Sequence, residues 1–498
     1  MIEALISGLL QVLAWPAFGF LLFGAAVGFM VGILPGLGGL ATLALMLPFA
    51  YKIQEPISAF CFLLGMHAIT GTTGDITSIL FGIPGEGTAA ATIMDGYPMT
   101  KKGEAGRAMG AALMSSLVAG LEGALILALS IPIMRPLVLF FGSPELFMLA
   151  ILGITFIASL SGSSLAKGLL AGGIGLMLAA IGVDPQTGTL RYTMGTLYLW
   201  DGLSLGPVVV GLFAIPEIVD LAVRGTSIAE AKIDKIQGVM EGVKDTFRHF
   251  WLTMRCGMIG IFVGALPGLG GGVSQWMAYG HAVQSSKDPT RFGKGAVEGV
   301  LGPGAANNAK EGGNLIPTVA FGIPGSSAMA ILLGAFLIVG LNPGPEMLTK
   351  HLDITFAMVW ILVIANVITA GVCFLFLNQL VKITFVRGSL LIPFLLMFVF
   401  LGSFAAHNNF SDIVVTLLFG LLGYFMILFE WPRPPFVLGL VLGRIAENYL
   451  WISTDAYGAS WLIHPTIIVI FFITVATIGY SALKRSRREE GAVSYKEG

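Results

Sequence analysis

Apolar runs of roughly membrane-spanning length follow one another along nearly the whole chain, and some are cut in the middle by glycine and proline. A spanning helix needs about 20 apolar residues. Uninterrupted runs near 108–134, 145–160, 165–183 and 203–222 read as spans, as do 354–381, 389–405, 413–430, 436–450 and 462–483. Residues 17–34 are also apolar, but Pro35-Gly36-Leu37-Gly38-Gly39 interrupts before 40–50 continues. The eleven residues of that second arm, at about 1.5 Å each, reach only half the hydrocarbon thickness. The pattern predicts a re-entrant hairpin with the glycines at its tip. Residues 256–266 and 273–283 flank Pro267-Gly268-Leu269-Gly270-Gly271-Gly272 in the same way, with two short arms. Two further helices are broken: 57–81 stops at Gly82-Ile83-Pro84-Gly85 and resumes over 88–94, and 313–321 stops at Gly322-Ile323-Pro324-Gly325 and resumes over 327–341.

These breaks are written twice. Gly-Ile-Leu-Pro-Gly-Leu-Gly-Gly at 32–39 returns 232 residues later as Gly-Ala-Leu-Pro-Gly-Leu-Gly-Gly at 264–271, and Phe-Gly-Ile-Pro-Gly occupies both 81–85 and 321–325. Backbone released from a helix at membrane depth is tolerated only where it is buried in protein or lines a cavity. In secondary transporters such breaks form the substrate and ion sites. The expected fold is an all-α polytopic membrane protein built from two repeats, each with a re-entrant hairpin and a broken helix, with about 11 spans plus two hairpins.

Composition agrees: 56% of the 498 residues are hydrophobic and 11% charged, where soluble domains carry about 25% charged residues. A net charge of −1 suggests no nucleic-acid partner. Cys61, Cys256 and Cys373 stand singly in apolar stretches, which reads as small core residues. The histidines show no ligand spacing, and no Walker A motif is present, so neither metalloenzyme nor ATPase chemistry is expected. No basic segment precedes the first apolar run, so a cleaved leader is not expected.

Charge sets the expected orientation. Lys484-Arg485-Ser486-Arg487-Arg488 marks a cytoplasmic tail, 484–498, and Arg224, Lys232, Lys235, Lys244 and Arg248 mark a cytoplasmic linker, 223–250. The mixed charges of that linker predict an amphipathic surface helix. Lys287, Arg291 and Lys294 place the mouth of the second hairpin inside, and walking back through four spans from the linker places Lys101, Lys102 and Arg107 inside too. The first hairpin then opens outside. The membrane repeats, 1–222 and 251–483, are therefore expected to have inverted topology.

The tips are the first candidate site. Gly38, Gly39, Gly270 and Gly271 allow close backbone approach, and the helix that starts after each tip aims its free N–H groups and positive end at an anion. Carbonyls around Pro35, Gly36, Pro267 and Gly268 can hold a cation. The competing reading is plain helix packing, since small residues are common in membrane helices. The polar runs before each Gly-Ile-Pro-Gly are the second candidate: His67, Thr70, Thr72, Thr73, Asp75, Thr77 and Ser78, then Asn307, Asn308, Lys310, Glu311, Asn314 and Thr318. A charge at this depth costs about 2.5–3.5 kcal/mol on insertion scales, so Asp75, Lys310 and Glu311 need partners or water. Thr72, Thr73, Asn307, Asn308, Lys310 and Ser326 are assigned to an anionic substrate. Asp75, Thr77, Asn314 and Thr318 are assigned to a hard cation such as sodium. Lys310 and Glu311 neutralising each other, and Ser326 capping the resumed helix, remain open alternatives.

The glycine-tip pair, together with Gly-Pro-Gly-Ala-Ala-Asn-Asn-Ala at 302–309 and Pro-Thr-Val-Ala-Phe-Gly-Ile-Pro-Gly at 317–325, resembles the large membrane subunit of the tripartite tricarboxylate transporters, the TctA-type family, from about residue 17 to 480. The resemblance implies a multi-pass protein of the bacterial inner membrane with a small membrane subunit and a periplasmic solute-binding protein as partners. It implies uptake of a tricarboxylate or dicarboxylate driven by an ion gradient, with sodium as the expected ion, no other cofactor and no enzymatic activity. An elevator-like movement is an analogy with other transporters that pair hairpins and broken helices. The alternative from another class is an ion or solute channel, because broken helices also build selectivity filters.

Overall fold

The computed structural model describes residues 1–33, 38–85, 89–160, 164–184, 186–224, 236–267, 270–383 and 388–494. The first part of the chain forms α1 (Ile2–Leu13), α2 (Ala17–Gly32), α3 (Gly39–Met46), α4 (Pro56–Phe81), α5 (Ala90–Lys101) and α6 (Ala105–Leu139). Next come α7 (Ser143–Leu160), α8 (Leu165–Ala179), a two-stranded ribbon of β1 (Gly182–Val183) and β2 (Leu190–Arg191), α9 (Leu205–Val209) and α10 (Ile215–Arg224), with a π-helical turn joining the last two helices. The second part forms α11 (Val239–Arg248), α12 (Phe250–Ala265), α13 (Gly270–Ser285), α14 (Glu298–Phe321), α15 (Ser327–Ile338), α16 (Pro345–Thr349) and α17 (Leu352–Ile383). It closes with α18 (Gly388–His407), α19 (Phe410–Leu428), α20 (Arg433–Tyr457) and α21 (Pro465–Ser494).

Among the described residues, six helices are long and apolar enough to cross a membrane, or seven if the bent pair α1 and α2 counts as one span; seven further apolar helices are shorter. Leu125, Ile133, Phe398, Leu418 and Phe472 are exposed on α6, α18, α19 and α21, as residues facing lipid must be. The chain is an all-α, multi-pass membrane protein.

The broken helices end alike. Gly82 closes α4 in the left-handed region (φ 68°, ψ 22°), and Gly322 closes α14 at φ 68°, ψ 18°. In each case the glycine N–H bonds the carbonyl four residues back, Ser78 or Thr318, at 3.1 Å. A side chain is strained in this region and glycine is not, so the recurring Gly-Ile-Pro-Gly stops both helices in the same turn. Proline two residues on prevents resumption until α5 and α15 begin.

Packing repeats as well. Gly28 of α2 lies on the carbonyl of Met66 in α4, and Gly260 of α12 lies on the carbonyl of Ala306 in α14. One turn on, Gly32 meets Thr70 and Thr73, and Gly264 meets Lys310 and Asn314. Gly85 folds back onto Gly74, and Gly325 onto Asn314. Gly28–Met66, Gly32–Thr70 and Gly85–Gly74 correspond to Gly260–Ala306, Gly264–Lys310 and Gly325–Asn314 when the two duplicated motifs are brought into register. The long helices are exchanged between the halves: α6 packs along α14, and α17 packs along α4.

Three features depart from the sequence reading. α14 starts at Glu298, not at 313, and carries Pro303 and Pro317 inside it. α1, which the hydrophobic pattern did not single out, packs against α17, with Gly8 against the backbone of Ala357. The two hairpins also differ. α12 and α13 pack on each other, whereas α3 leans on α4, α15 and the π turn. Of the linker, α11 is described, and it is laid against α6 with Gly106 and Gly110 under the carbonyls of Gln237 and Val239; residues 225–235 lie outside the described residues.

Candidate functional site

α4 and α14 cross where their polar runs meet. The Asn307 amide donates to the carbonyl of Gly71 at 2.8 Å, and the Asn308 amide donates to Thr72 Oγ1 at 2.7 Å. His67 Nε2 stands 3.4 Å from Glu311 Oε2. Numbering rises along α4 as it falls along α14, so the two helices pass in opposite senses. Gly71 lies directly against Asn307 and Asn308, within van der Waals reach of both amides.

The charges sit inside this crossing and are compensated there. Lys310 Nζ donates to Glu311 Oε1 at 2.8 Å and to Asn307 Oδ1 at 3.1 Å. The Asn314 amide donates to Glu311 Oε2 at 3.2 Å. Glu311 thus gathers Lys310, Asn314 and His67 around one buried carboxylate. An ion pair held this way repays part of its desolvation cost through the extra hydrogen bonds. Mutual neutralisation of Lys310 and Glu311, left open by the sequence, is the arrangement present, so the Lys310 ammonium already has a counter-charge.

Two residues that the sequence reading did not select complete the network. Asn366 of α17 accepts from the Asn308 amide through its Oδ1, and Ser116 of α6 lies 3.3 Å from Thr72 Oγ1. Both are fully or almost fully buried. Neither stood out in the sequence, because each is a small polar residue in a long apolar run with nothing in the pattern to mark it. Asn308 Oδ1 has no hydrogen-bond donor among the described residues, which leaves a buried amide oxygen suited to a ligand.

Other predicted site residues are placed less centrally. Thr73 Oγ1 donates to the carbonyl of Ile69 at 2.9 Å, and Thr77 Oγ1 to that of Gly74 at 3.1 Å, so both hydroxyls are satisfied within α4. Thr318 Oγ1 donates to the carbonyl of Asn314 at 2.6 Å and accepts from the Gly325 N–H at 3.3 Å, which ties the break to α14. Ser326 is the N-cap of α15, accepting from the Met329 N–H at 3.3 Å, which is the capping alternative. Asp75 is buried one turn beyond Thr72. Gly38 precedes α3 with nothing within 4 Å of where a Cβ would stand, and its carbonyl accepts from Thr42. Gly39 opens α3, Gly270 and Gly271 open α13, and Pro267 follows α12. Pro35, Gly36 and Gly268 lie outside the described residues.

Residues 18–438 match the family described as "Tripartite tricarboxylate transporter TctA family". The chain is 32% identical over 427 residues, 86% of its length and 85% of the relative's, to an Agrobacterium vitis protein described as an uncharacterized 52.8 kDa protein in the TAR-I ttuC' 3' region. It is also 32% identical over 191 residues, 38% of its length and 79% of the relative's, to an uncharacterized protein in the TAR-II ttuC' 3' region of the same organism. No solved structure matches. A family match over most of the chain, on the segment that contains both glycine motifs and both broken helices, makes this protein a member of the TctA family of tripartite tricarboxylate transporters, a transporter subunit family and not an enzyme family.

Proposed function

We propose that this chain is the permease of a binding-protein-dependent symporter that takes up a tricarboxylate or dicarboxylate anion with sodium. The observation that carries the reading is the opposed crossing of α4 and α14. Two helices equivalent by motif, broken at the same place, meet in opposite senses around a buried polar network. That supports inverted repeats over 1–222 and 251–483, joined by the linker 223–250, and inverted repeats place the site at mid-membrane. The two hairpins and the two broken helices form the moving unit, and the uninterrupted spans form the support.

In this reading the carboxylate is bound by Asn307, Asn308 and Thr72 and feels the positive side of the Lys310–Glu311 pair. Sodium takes oxygens from Asp75, Thr77, Asn314, Thr318 and the glycine tips. Bound sodium offsets part of the anion's charge, so the loaded unit crosses the barrier more easily than with the anion alone, which couples their fluxes. A small membrane subunit and a periplasmic solute-binding protein are the partners, and the chain lies in the bacterial inner membrane with its C-terminus in the cytoplasm.

The test is uptake of labelled citrate and a panel of dicarboxylates into proteoliposomes holding this chain and its small subunit. The soluble binding protein is added or omitted, and a sodium gradient is compared with a proton gradient. Saturable uptake that requires the binding protein and follows sodium is expected. Ion conduction without saturation would establish the channel alternative instead.

A further inference from the structure

A cavity of about 400 Å³, with a few polar residues in a largely apolar wall, lies away from the helix crossing. It is lined by Tyr51 at the end of the first hairpin, Gly334 on α15, Ser204 at the start of α9, His407 on α18 and Arg444 on α20. The charge pattern places the mouth of the first hairpin, the 183–203 connection and the His407 turn on the outer face, and the fold brings all three together here. The cavity therefore sits where the proposed moving unit meets its support, on the side a binding protein would approach. Its size lies in the ordinary range for small-ligand pockets, about 300–1,000 Å³.

Arg444 gives the cavity its chemistry. Its guanidinium donates one hydrogen bond to the carbonyl of Asp201. Gly202, at φ +77°, makes room for it, since a Cβ there would collide with Nη2. Among the described residues no carboxylate lies within ion-pair distance of it. The neighbouring charges are paired: Arg191 forks onto Glu447 at 2.6 and 3.0 Å, and His407 Nδ1 lies 3.2 Å from Asp412 Oδ2. Arg444 shares the cavity with the Tyr51 and Ser204 hydroxyls, which lie 3.4 Å apart. A planar fork plus two hydroxyls is a donor set for a carboxylate. Asp201 also lines the cavity and limits how tightly an anion can stay.

We infer that Arg444, Tyr51 and Ser204 form an outer reception site for the carboxylate substrate, which it occupies before reaching the helix crossing. This inference rests on the transport reading for the identity of the anion.

The test uses the thiol variant Ser204→Cys, because Cys61, Cys256 and Cys373 are buried. Modification by an anionic methanethiosulfonate is expected to outpace that by a cationic one, and millimolar citrate or succinate is expected to slow both. Arg444→Gln should abolish the anion preference and the protection, and Arg444→Lys should keep the preference while weakening the protection. In uptake, Arg444→Gln should raise KM about tenfold, the loss of one charge-assisted contact, with a maximal rate close to the parent's. Asp201→Asn should lower KM. A rate ratio indifferent to Arg444, or thiol reactivity indifferent to every carboxylate, would overturn the site. Protection without uptake by the parent protein would leave this site standing and sink the transport reading.

Discussion

His67 of the first half and Glu311 of the second lie 3.4 Å apart, and they occupy positions that do not correspond in the duplicated motifs. His67 aligns with Asn307, and Glu311 aligns with Gly71, so the His67–Glu311 contact and the Asn307–Gly71 hydrogen bond are the same contact made twice with different side chains. One arm of the pseudo-symmetric crossing carries the charge, and the other carries an amide on a backbone carbonyl.

That asymmetry makes the Lys310–Glu311 pair testable. Glu311→Ala would leave the Lys310 ammonium buried without its carboxylate, at a cost of about 3–5 kcal/mol. The double variant Lys310→Met, Glu311→Leu removes both charges and should melt above either single variant. Thermal unfolding in detergent reads the order. A double variant that is stable and still transports would mean the pair only holds the crossing together.

Asn308 is expected to matter beyond stability. Asn308→Ala removes the bridge between Thr72 and Asn366 and also the amide oxygen that has no donor among the described residues. Uptake should fall at least about tenfold if a contact worth about 1.4 kcal/mol is lost from the transport path. Asp75→Asn should shift the sodium concentration for half-maximal uptake upward. Unchanged transport and unchanged sodium dependence in both variants would remove these residues from the site.

Much of this was legible in the sequence, and the failures have physical causes. The breaks were visible because glycine and proline leave a local signature that tertiary contacts do not erase. α14 was started too late, at 313, because Gly302, Pro303, Gly312 and the Asn-Asn-Ala-Lys-Glu run look unlike a spanning helix. Their compatibility with one comes from elsewhere. Gly312 lies under the backbone of Gly123 on α6, Gly313 under Ile261 on α12, and the polar side chains find partners on α4 and α17. Asn366 and Ser116 could not be chosen from a single chain of letters, since only the crossing brings them together.

The docking of α11 carries a pH dependence of known sign. Burial alone would raise the Asp245 carboxyl, but Arg107 donates to it at 2.6 Å and Arg248 at 2.9 Å, and together they hold it below the ordinary carboxylate range. Its contribution is therefore complete above the unfolded value, about 3.9, and is lost as pH falls through the lower folded value. Amide exchange in Val239–Arg248 should be steady near neutrality and should accelerate in acid. Asp245→Asn should loosen the helix by about 1–3 kcal/mol at neutral pH and flatten the acid step. Identical exchange in parent and variant would show that the helix is held by its apolar face alone.

The glycine contacts predict where a single methyl group cannot be tolerated. Gly264→Ala would drive a Cβ into the carbonyl of Lys310, whereas Gly280 has nothing within 4 Å. Gly264→Ala should abolish uptake and depress the melting temperature, and Gly280→Ala should leave both close to the parent.

The two halves differ in how such damage could be repaired. At Gly32 the obstacle to a methyl group is mainly the Thr73 hydroxyl, a side chain, while at Gly264 it is the main chain of Lys310. A selection for restored growth should therefore recover second-site revertants of Gly32→Ala at Thr73, changed to alanine or glycine. The nearest obstacle to Gly264→Ala is a main-chain carbonyl, which trimming the Asn314 side chain would not remove, so its revertants should restore the glycine itself. One ancestral contact, copied twice, has left one half of the protein genetically forgiving and the other half fixed.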